Sequence, residues 1–423
     1  MNEFLAFFAF VMLLIVICVV LNEKTIKMPP EIALLAFAMA FGILFKLLMV
    51  AGMITPSGIA YETISTFNID NVLMNALLCF MLFSGSSDLK FKSLLKNFKP
   101  ILLLSLLTTV ITALVYGALF YGVALLINIP ISFATCVLLG AIVSPTDSIA
   151  ATGILNKLGL SDEITAIMEG ESLFNDGTGV ALFVFIKGIV THTESEGFFV
   201  VMARELLGAI LVGLVVSFLC SQIIKITKEE VHFILLSLFA VSFCYALSSV
   251  LDFSGAIASV VCGIYFATIM DNYKSKGYIN SDETIYLNFW STIDKIFNYT
   301  LYILIGISFI YVNPISHIIL IGIAAIVINF IARYLGVYVS TLILRKVPNG
   351  YSFSMFTTLM TWSGLKGGLC LALVMSISSS LSSDTYNTML YIVFVTILFT
   401  TIIQGLTVSR LYLNMEKSAN SKR

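Results

Sequence analysis

Two carboxylates lie within stretches otherwise apolar enough to be membrane helices: Asp147 in Ser144-Pro145-Thr146-Asp147, and Asp176 in Glu169-Gly170-Glu171-Ser172-Leu173-Phe174-Asn175-Asp176. An ionisable group at bilayer depth costs at least roughly 2.5 kcal/mol, so a chain that keeps several in a short stretch is expected to use them. Ser172, Asn175, Asp176 and Gly179 follow i, i+3, i+4, i+7 spacing, which is one face of a helix. With Thr146 and Asp147 beside it, that face offers carboxylate, hydroxyl and amide oxygens. Hard cations take oxygen ligands of these kinds. The expected ion and proton site is Asp176, Asp147, Thr146, Ser172 and Asn175, with Na+ (or Li+ or K+) at Asp176, Ser172 and Thr146. The competing reading has Asp147 and Asp176 pairing with Lys366 or Arg333 to hold helices together.

Pro145 lacks a backbone donor and its ring clashes one turn earlier, so the helix carrying it should break near Ser144 to Asp147. Freed backbone at membrane depth is tolerated where it is buried in protein or lines a cavity, and it is a recurring way to hold cations. A second break is expected at Trp362-Ser363-Gly364-Leu365-Lys366-Gly367-Gly368-Leu369, where Gly364 and Gly367 interrupt an apolar span around Lys366. Of the carboxylates available to Lys366, Glu171 is the expected partner in a structural charge pair. One interrupted span in each half of a chain points to an inverted-repeat transporter with its site near the midplane.

The remaining sequence must position these two breaks. It is 59% hydrophobic and 11% charged over 423 residues, with mean hydropathy +1.02, which excludes a soluble globular protein. An all-α polytopic membrane protein follows, with spans expected at about 3–21, 31–52, 70–86, 99–128, 131–156, 162–190, 197–225, 231–251, 254–271, 285–312, 315–344, 352–379 and 386–411. The first span lacks a basic flank and a cleavage site and is expected to be retained. Lys and Arg collect on the cytoplasmic side of membrane proteins. With about thirteen spans and the N-terminus outside, the inner segments hold Lys24, Lys27, Lys90, Lys92, Lys96, Lys99, Lys157, Lys225, Lys228, Lys274, Lys276, Arg345, Lys346, Arg410, Lys417, Lys422 and Arg423. That is 17 of the 23 basic residues, and it puts the C-terminus in the cytoplasm. The 7 Cys all fall inside spans, where disulfides are not expected, and a net charge of −1 gives no sign of nucleic-acid binding. Asp294 and Lys295 read as an interfacial pair or, with Asn298, as residues facing the domain boundary; Arg333 reads as a structural or carbonyl-binding residue, and the three His as residues of span ends or loops. No nucleophile and base pair or metal-ligand spacing supports an enzyme, and no cofactor is expected.

These motifs resemble the monovalent cation:proton antiporters of the first subfamily, which includes prokaryotic and animal sodium/proton exchangers. Gly140 to Asp147 is similar to that family's unwound segment and Glu169 to Gly177 to its signature. Phe253 to Ala258, Leu304-Ile305-Gly306 and Trp362 to Leu369 are weaker matches. The resemblance implies a plasma-membrane homodimer of thirteen-span subunits. Residues 1–98 and 191–313 (spans 1–3 and 7–10) would form a dimerisation domain and 99–190 and 314–412 (spans 4–6 and 11–13) a core transport domain, leaving 413–423 as a short cytoplasmic tail. It further implies that Asp176 is the carboxylate shared by cation and proton, assisted by Thr146, Asp147 and Ser172. Asn175 before Asp176 is the pattern of electroneutral members. Two departures stand out: Lys366 replaces the family's Arg in the second break, and Ser84-Gly85 replaces an acidic residue and glycine in span 3. The expected activity is Na+ or Li+ exchange for a proton by competition at Asp176 and alternating access. The alternatives are K+/H+ antiport on the same fold, a non-transporting membrane scaffold or sensor, and a gated cation channel.

Overall fold

The apolar stretches fold as helices because at membrane depth every backbone polar group must be satisfied within its own segment. The computed structural model describes residues 2–53, 77–87, 91–147, 149–156, 158–193, 197–226, 229–275, 284–312, 317–348 and 350–420. The first part of the expected third span (70–76) and the inner-loop residues Lys90, Lys157, Lys228, Lys276, Lys422 and Arg423 lie outside them.

In chain order the helices are α1 (Asn2–Lys24), α2 (Pro30–Val50), α3 (Leu78–Ser87), α4 (Phe91–Lys96), α5 (Phe98–Leu102), α6 (Thr108–Leu126), α7 (Phe133–Val143), α8 (Ile149–Asn156), α9 (Asp162–Val190), α10 (Phe198–Ile224), α11 (Glu230–Val250) and α12 (Gly255–Ser275). There follow α13 (Thr284–Ser308), α14 (Ile318–Leu344), α15 (Phe353–Trp362), α16 (Gly368–Met375), α17 (Ser383–Leu398) and α18 (Gly405–Asn420). Nine segments among the described residues are long and apolar enough to cross a bilayer unaided, with α5 and α6 forming one of them and α17 and α18 another. The long α13 carries Asp294, Lys295 and Asn298 within its length. The last helix runs on to Asn420, so the expected tail from 413 is helical as far as the described residues go.

Three of the helices that frame the breaks start at serines. Ser132, Ser161 and Ser352 accept from the backbone N–H of Thr135 (3.1 Å), Ile164 (3.4 Å) and Met355 (3.2 Å), satisfying donors that a helix start leaves unpaired. Two π-helical turns, Leu103–Leu107 before α6 and Phe399–Gln404 before α18, interrupt otherwise regular helices. Such turns mark places where a ladder is opened for another partner. The second does so here: Thr400 Oγ1 accepts from the Lys366 N–H (3.0 Å), and Thr401 Oγ1 donates to the Lys366 carbonyl (3.3 Å).

Many large apolar side chains on the outside are exposed, among them Leu13, Leu214 and Ile319, as expected of a surface solvated by lipid. Inside, α6 packs on α7 and α14, while α13 packs on α2 and α3. All seven cysteines are buried.

Candidate ion-binding site at two crossed helix breaks

The chain is interrupted in both expected places. Helix α7 ends at Val143 and α8 resumes at Ile149, while α15 ends at Trp362 and α16 resumes at Gly368. The gaps meet, since Asp147 and Leu365 form an isolated antiparallel bridge in which the Asp147 N–H donates to the Leu365 carbonyl at 2.8 Å. The crossing is close because Gly367 has no side chain: a Cβ there would lie 2.9 Å from the Asp147 Cβ. Gly179 plays the same part on α9, where a Cβ would strike the Pro145 ring.

Each broken helix ends on a cation. Lys366 Nζ donates to the carbonyls of Ser144 (3.1 Å) and Pro145 (3.2 Å), just past the end of α7. Arg333 Nη2 donates to the Met360 carbonyl (3.3 Å) in the last turn of α15. Carbonyls at a helix C-terminus lack intrahelical donors and carry partial negative charge, so a buried cation suits both.

The expected Glu171–Lys366 pair does not form. Glu171 meets Arg333 instead, Oε1 accepting from Nη1 at 2.8 Å and Oε2 from Nη2 at 3.1 Å, with both side chains buried. The planar guanidinium satisfies both carboxylate oxygens at once, which a single ammonium cannot do in the same geometry. Lys366 is drawn to the carbonyls of the first break.

Asn175 also departs from expectation. It is fully buried, and its amide is consumed by the frame: Oδ1 accepts from the Thr146 N–H (3.2 Å), and Nδ2 donates to Thr146 Oγ1 (2.6 Å) and to Glu171 Oε1 (2.9 Å). The residue ties the break to the Glu171–Arg333 pair and does not line the cavity. Ser172 Oγ donates to the Thr146 carbonyl at 2.6 Å. That bond uses the hydroxyl proton and leaves oxygen lone pairs that can accept or coordinate.

A cavity of about 220 Å³ opens beside the crossing. Asp147, Asp176, Ser172 and Thr146 line it, as do Pro145 and Gly367. Asp176 is half-buried, the charges acting on it are Asp147, Glu171 and Lys366, and its carboxylate has no hydrogen-bond partner among the described residues. The structure thus brings all the expected site residues to one crossing, with Asp176, Asp147, Ser172 and Thr146 facing the cavity and Asn175, Glu171 and Lys366 behind it. Gly364 sits against the Arg333 guanidinium, 2.7 Å from where its Cβ would stand.

Sequence reasoning missed several neighbours. Glu169 and Thr152 line the same cavity. So does Asp294, which accepts from Asn298 Nδ2 at 2.9 Å; this favours the inward-facing reading of Asp294 over the interfacial pair. Tyr302 OH donates to Asp147 Oδ2 at 3.2 Å. The signal available in the sequence was the spacing of Asp294, Asn298 and Tyr302 at i, i+4, i+8, a polar stripe on a membrane helix. Ser84, at the position of the expected departure in span 3, is buried and donates to the Trp290 carbonyl at 3.0 Å.

Crossed, interrupted helices inside a multi-pass bundle, with carboxylates facing a cavity at the crossing, define a membrane transporter rather than an enzyme. The chain belongs to the sodium/hydrogen exchanger family: residues 10–413 match the family described as "Sodium/hydrogen exchanger, transmembrane". It is 30% identical over 403 residues to the Na+/H+ antiporter NhaP of Pseudomonas aeruginosa, covering 92% of both chains. It is 29% identical over 409 residues to the Na+/H+ antiporter NhaH of Halobacillus aidingensis, covering 94% of each. Its fold is similar to that of the sodium proton antiporter MjNhaP1 from Methanocaldococcus jannaschii, with a TM-score of 0.75, 20% identity, and coverage of 98% of this chain and 99% of that one.

Proposed function

We propose that this protein exchanges a monovalent cation, Na+ or Li+ first among them, for a proton across the plasma membrane, with Asp176 binding either ion in turn. The observation that carries this reading is the half-buried Asp176 carboxylate, facing a cavity where two broken helices cross, with Asp147 and Ser172 Oγ on the same cavity. Adding both a proton and a metal cation to one carboxylate would leave excess positive charge in a low-dielectric pocket, so each displaces the other.

The charges at the breaks support one-for-one exchange. Glu171 and Arg333 cancel as a bidentate pair. Within the breaks, Lys366 offsets one of the two carboxylates Asp147 and Asp176 and leaves one negative charge there for a proton or a monovalent cation, while Glu169 and Asp294, from outside the breaks, add carboxylates to the same cavity wall. The ligands proposed for the cation are Asp176, Asp147 and Ser172 Oγ, with Thr146 at their edge and Asn175 holding the break in shape. Exchange further requires alternating access. The moving part would be the unit of residues 99–190 and 314–412 that contains both breaks, against residues 1–98 and 191–313 in a homodimer with its N-terminus outside. Similarity to the Na+/H+ antiporters NhaP and NhaH supports Na+ as the first cation to test.

The deciding experiment is cation-driven proton movement in proteoliposomes, with Na+, Li+ and K+ added separately and wild type compared with Asp176→Asn. A pH change that depends on the cation and vanishes in the variant is the expected result. No response to any cation from folded wild-type protein would overturn the reading. Competition also sets the sign of the pH dependence. Acidification keeps Asp176 protonated, so Na+ uptake at fixed subsaturating Na+ should slow as the pH falls on the cation side. A rate that keeps rising while protons saturate the site would exclude a shared carboxylate.

A further inference from the structure

Helix α13 carries neither break, yet it reaches the site from outside. Asp294 lines the cavity and accepts from Asn298 (2.9 Å), and two turns beyond Asp294 the buried Tyr302 donates its hydroxyl to Asp147 Oδ2 (3.2 Å). Asp147 is thereby gripped on two sides. Its backbone N–H is fixed to the Leu365 carbonyl (2.8 Å) in the other break, and its carboxylate is fixed by Tyr302. The backbone bond fixes the position of Asp147 but not its side-chain torsions, which the Tyr302 hydroxyl helps to set, and a carboxylate that must meet a cation together with Asp176 gains affinity when its orientation is set beforehand.

We propose that Tyr302 is a positioning residue of the ion site: from a helix outside the two breaks, its hydroxyl orients the Asp147 carboxylate so that a cation in the cavity meets Asp147 and Asp176 together. The proposal rests on the exchange reading above. It makes α13 part of the binding wall as well as a packing partner of α2 and α3. The effect should fall on cation binding and leave turnover alone, because the hydroxyl touches a ligand carboxylate and not Asp176. A hydrogen bond to a charged group is strong enough that its loss changes affinity about tenfold.

The test is Na+-driven proton exchange in proteoliposomes, scanned over Na+ concentration, for wild type, Tyr302→Phe and Tyr299→Phe. The first variant keeps the ring and removes the hydroxyl; the second does the same to a tyrosine on the same helix for which no contact with Asp147 is seen. The expected result is a KM for Na+ raised about tenfold in Tyr302→Phe with Vmax within about twofold of wild type, and wild-type values for Tyr299→Phe. The Na+-dependent rise in melting temperature of purified protein, which needs no reconstitution, should require correspondingly more Na+ in Tyr302→Phe. An active Tyr302→Phe with unchanged KM would overturn the proposal alone, as would a collapse of Vmax at unchanged KM, which would make the tyrosine a packing residue. A wild type that answers no cation would overturn the exchange reading and the proposal with it.

Discussion

Removing one partner of the Glu171–Arg333 pair should destabilise the protein more than removing both. The pair is bidentate, 2.8 and 3.1 Å, between side chains only 3% and 4% exposed. At an effective dielectric constant near 20 the gross attraction is on the order of 6 kcal/mol, but burying two charges offsets much of it, so the intact pair is close to neutral for stability. A lone charge has no such offset, and breaking a buried pair costs about 3–5 kcal/mol. Arg333→Met leaves Glu171 with Asn175 Nδ2 as its remaining partner and withdraws the donor from the Met360 carbonyl. Glu171→Gln strands the guanidinium but keeps a carbonyl for Asn175.

The double variant Glu171→Gln with Arg333→Met removes both charges and retains that acceptor, so it should lose less stability than Arg333→Met alone. Thermal unfolding of the purified protein in detergent, followed by tryptophan fluorescence, reads the three variants against wild type. Trp362 ends α15, two residues from the Met360 carbonyl, so its signal reports on this region. Additive losses would refute the reasoning, because residues that form one energetic unit must show coupling in a double-mutant cycle. Neutral single variants would refute it more directly, since they would mean that the buried charge finds water or another partner.

Two further outcomes follow from the same geometry. Lys366→Arg should fold and transport, because a guanidinium can still donate to the Ser144 and Pro145 carbonyls, whereas Lys366→Met should cost about 1–3 kcal/mol in thermal stability by leaving those carbonyls without it; loss of expression in the Arg variant would show a break built around the smaller ammonium. Gly179→Ala places a methyl against the Pro145 ring and should raise the KM for Na+ by displacing the first break while the helix content seen by circular dichroism stays unchanged, and wild-type KM would show that the break moves without affecting the site.

Both breaks were legible in the sequence because each has a local cause. Pro145 removes a donor at its own position, and the glycines around Lys366 weaken the helix where they stand. The Asp147 and Asp176 positions were legible for the same reason, since a carboxylate in an apolar span is conspicuous without any partner. Partner choice was not. Arg333 and Lys366 both stand in spans of the C-terminal half, and which one meets Glu171 depends on how α14 and the second break pack, information that spacing along one helix does not hold. Asp294 stayed ambiguous because a charge ten residues into a span looks like an interfacial residue when its neighbour is Lys295; only packing of α13 beside the breaks turns Asp294 to the cavity while Lys295 faces outward.

The helical face of Ser172, Asn175 and Asp176 shows the limit of the same reasoning in reverse. The spacing is right, and Ser172 and Asp176 do share the cavity, but Asn175 is turned just far enough to reach Thr146 and Glu171. An amide is suited to that place because it donates and accepts at once: its oxygen takes the Thr146 N–H while its nitrogen serves a hydroxyl and a carboxylate. An Asp at 175 would offer only acceptors when charged, facing Glu171 with a second negative charge. Its proton would have to be retained, or another cation supplied, for the break to keep its shape. On the exchange reading, Asn175 therefore limits the binding charge by chemistry rather than by coordination. It lets the frame close around Thr146 without adding a further carboxylate to those that line the cavity.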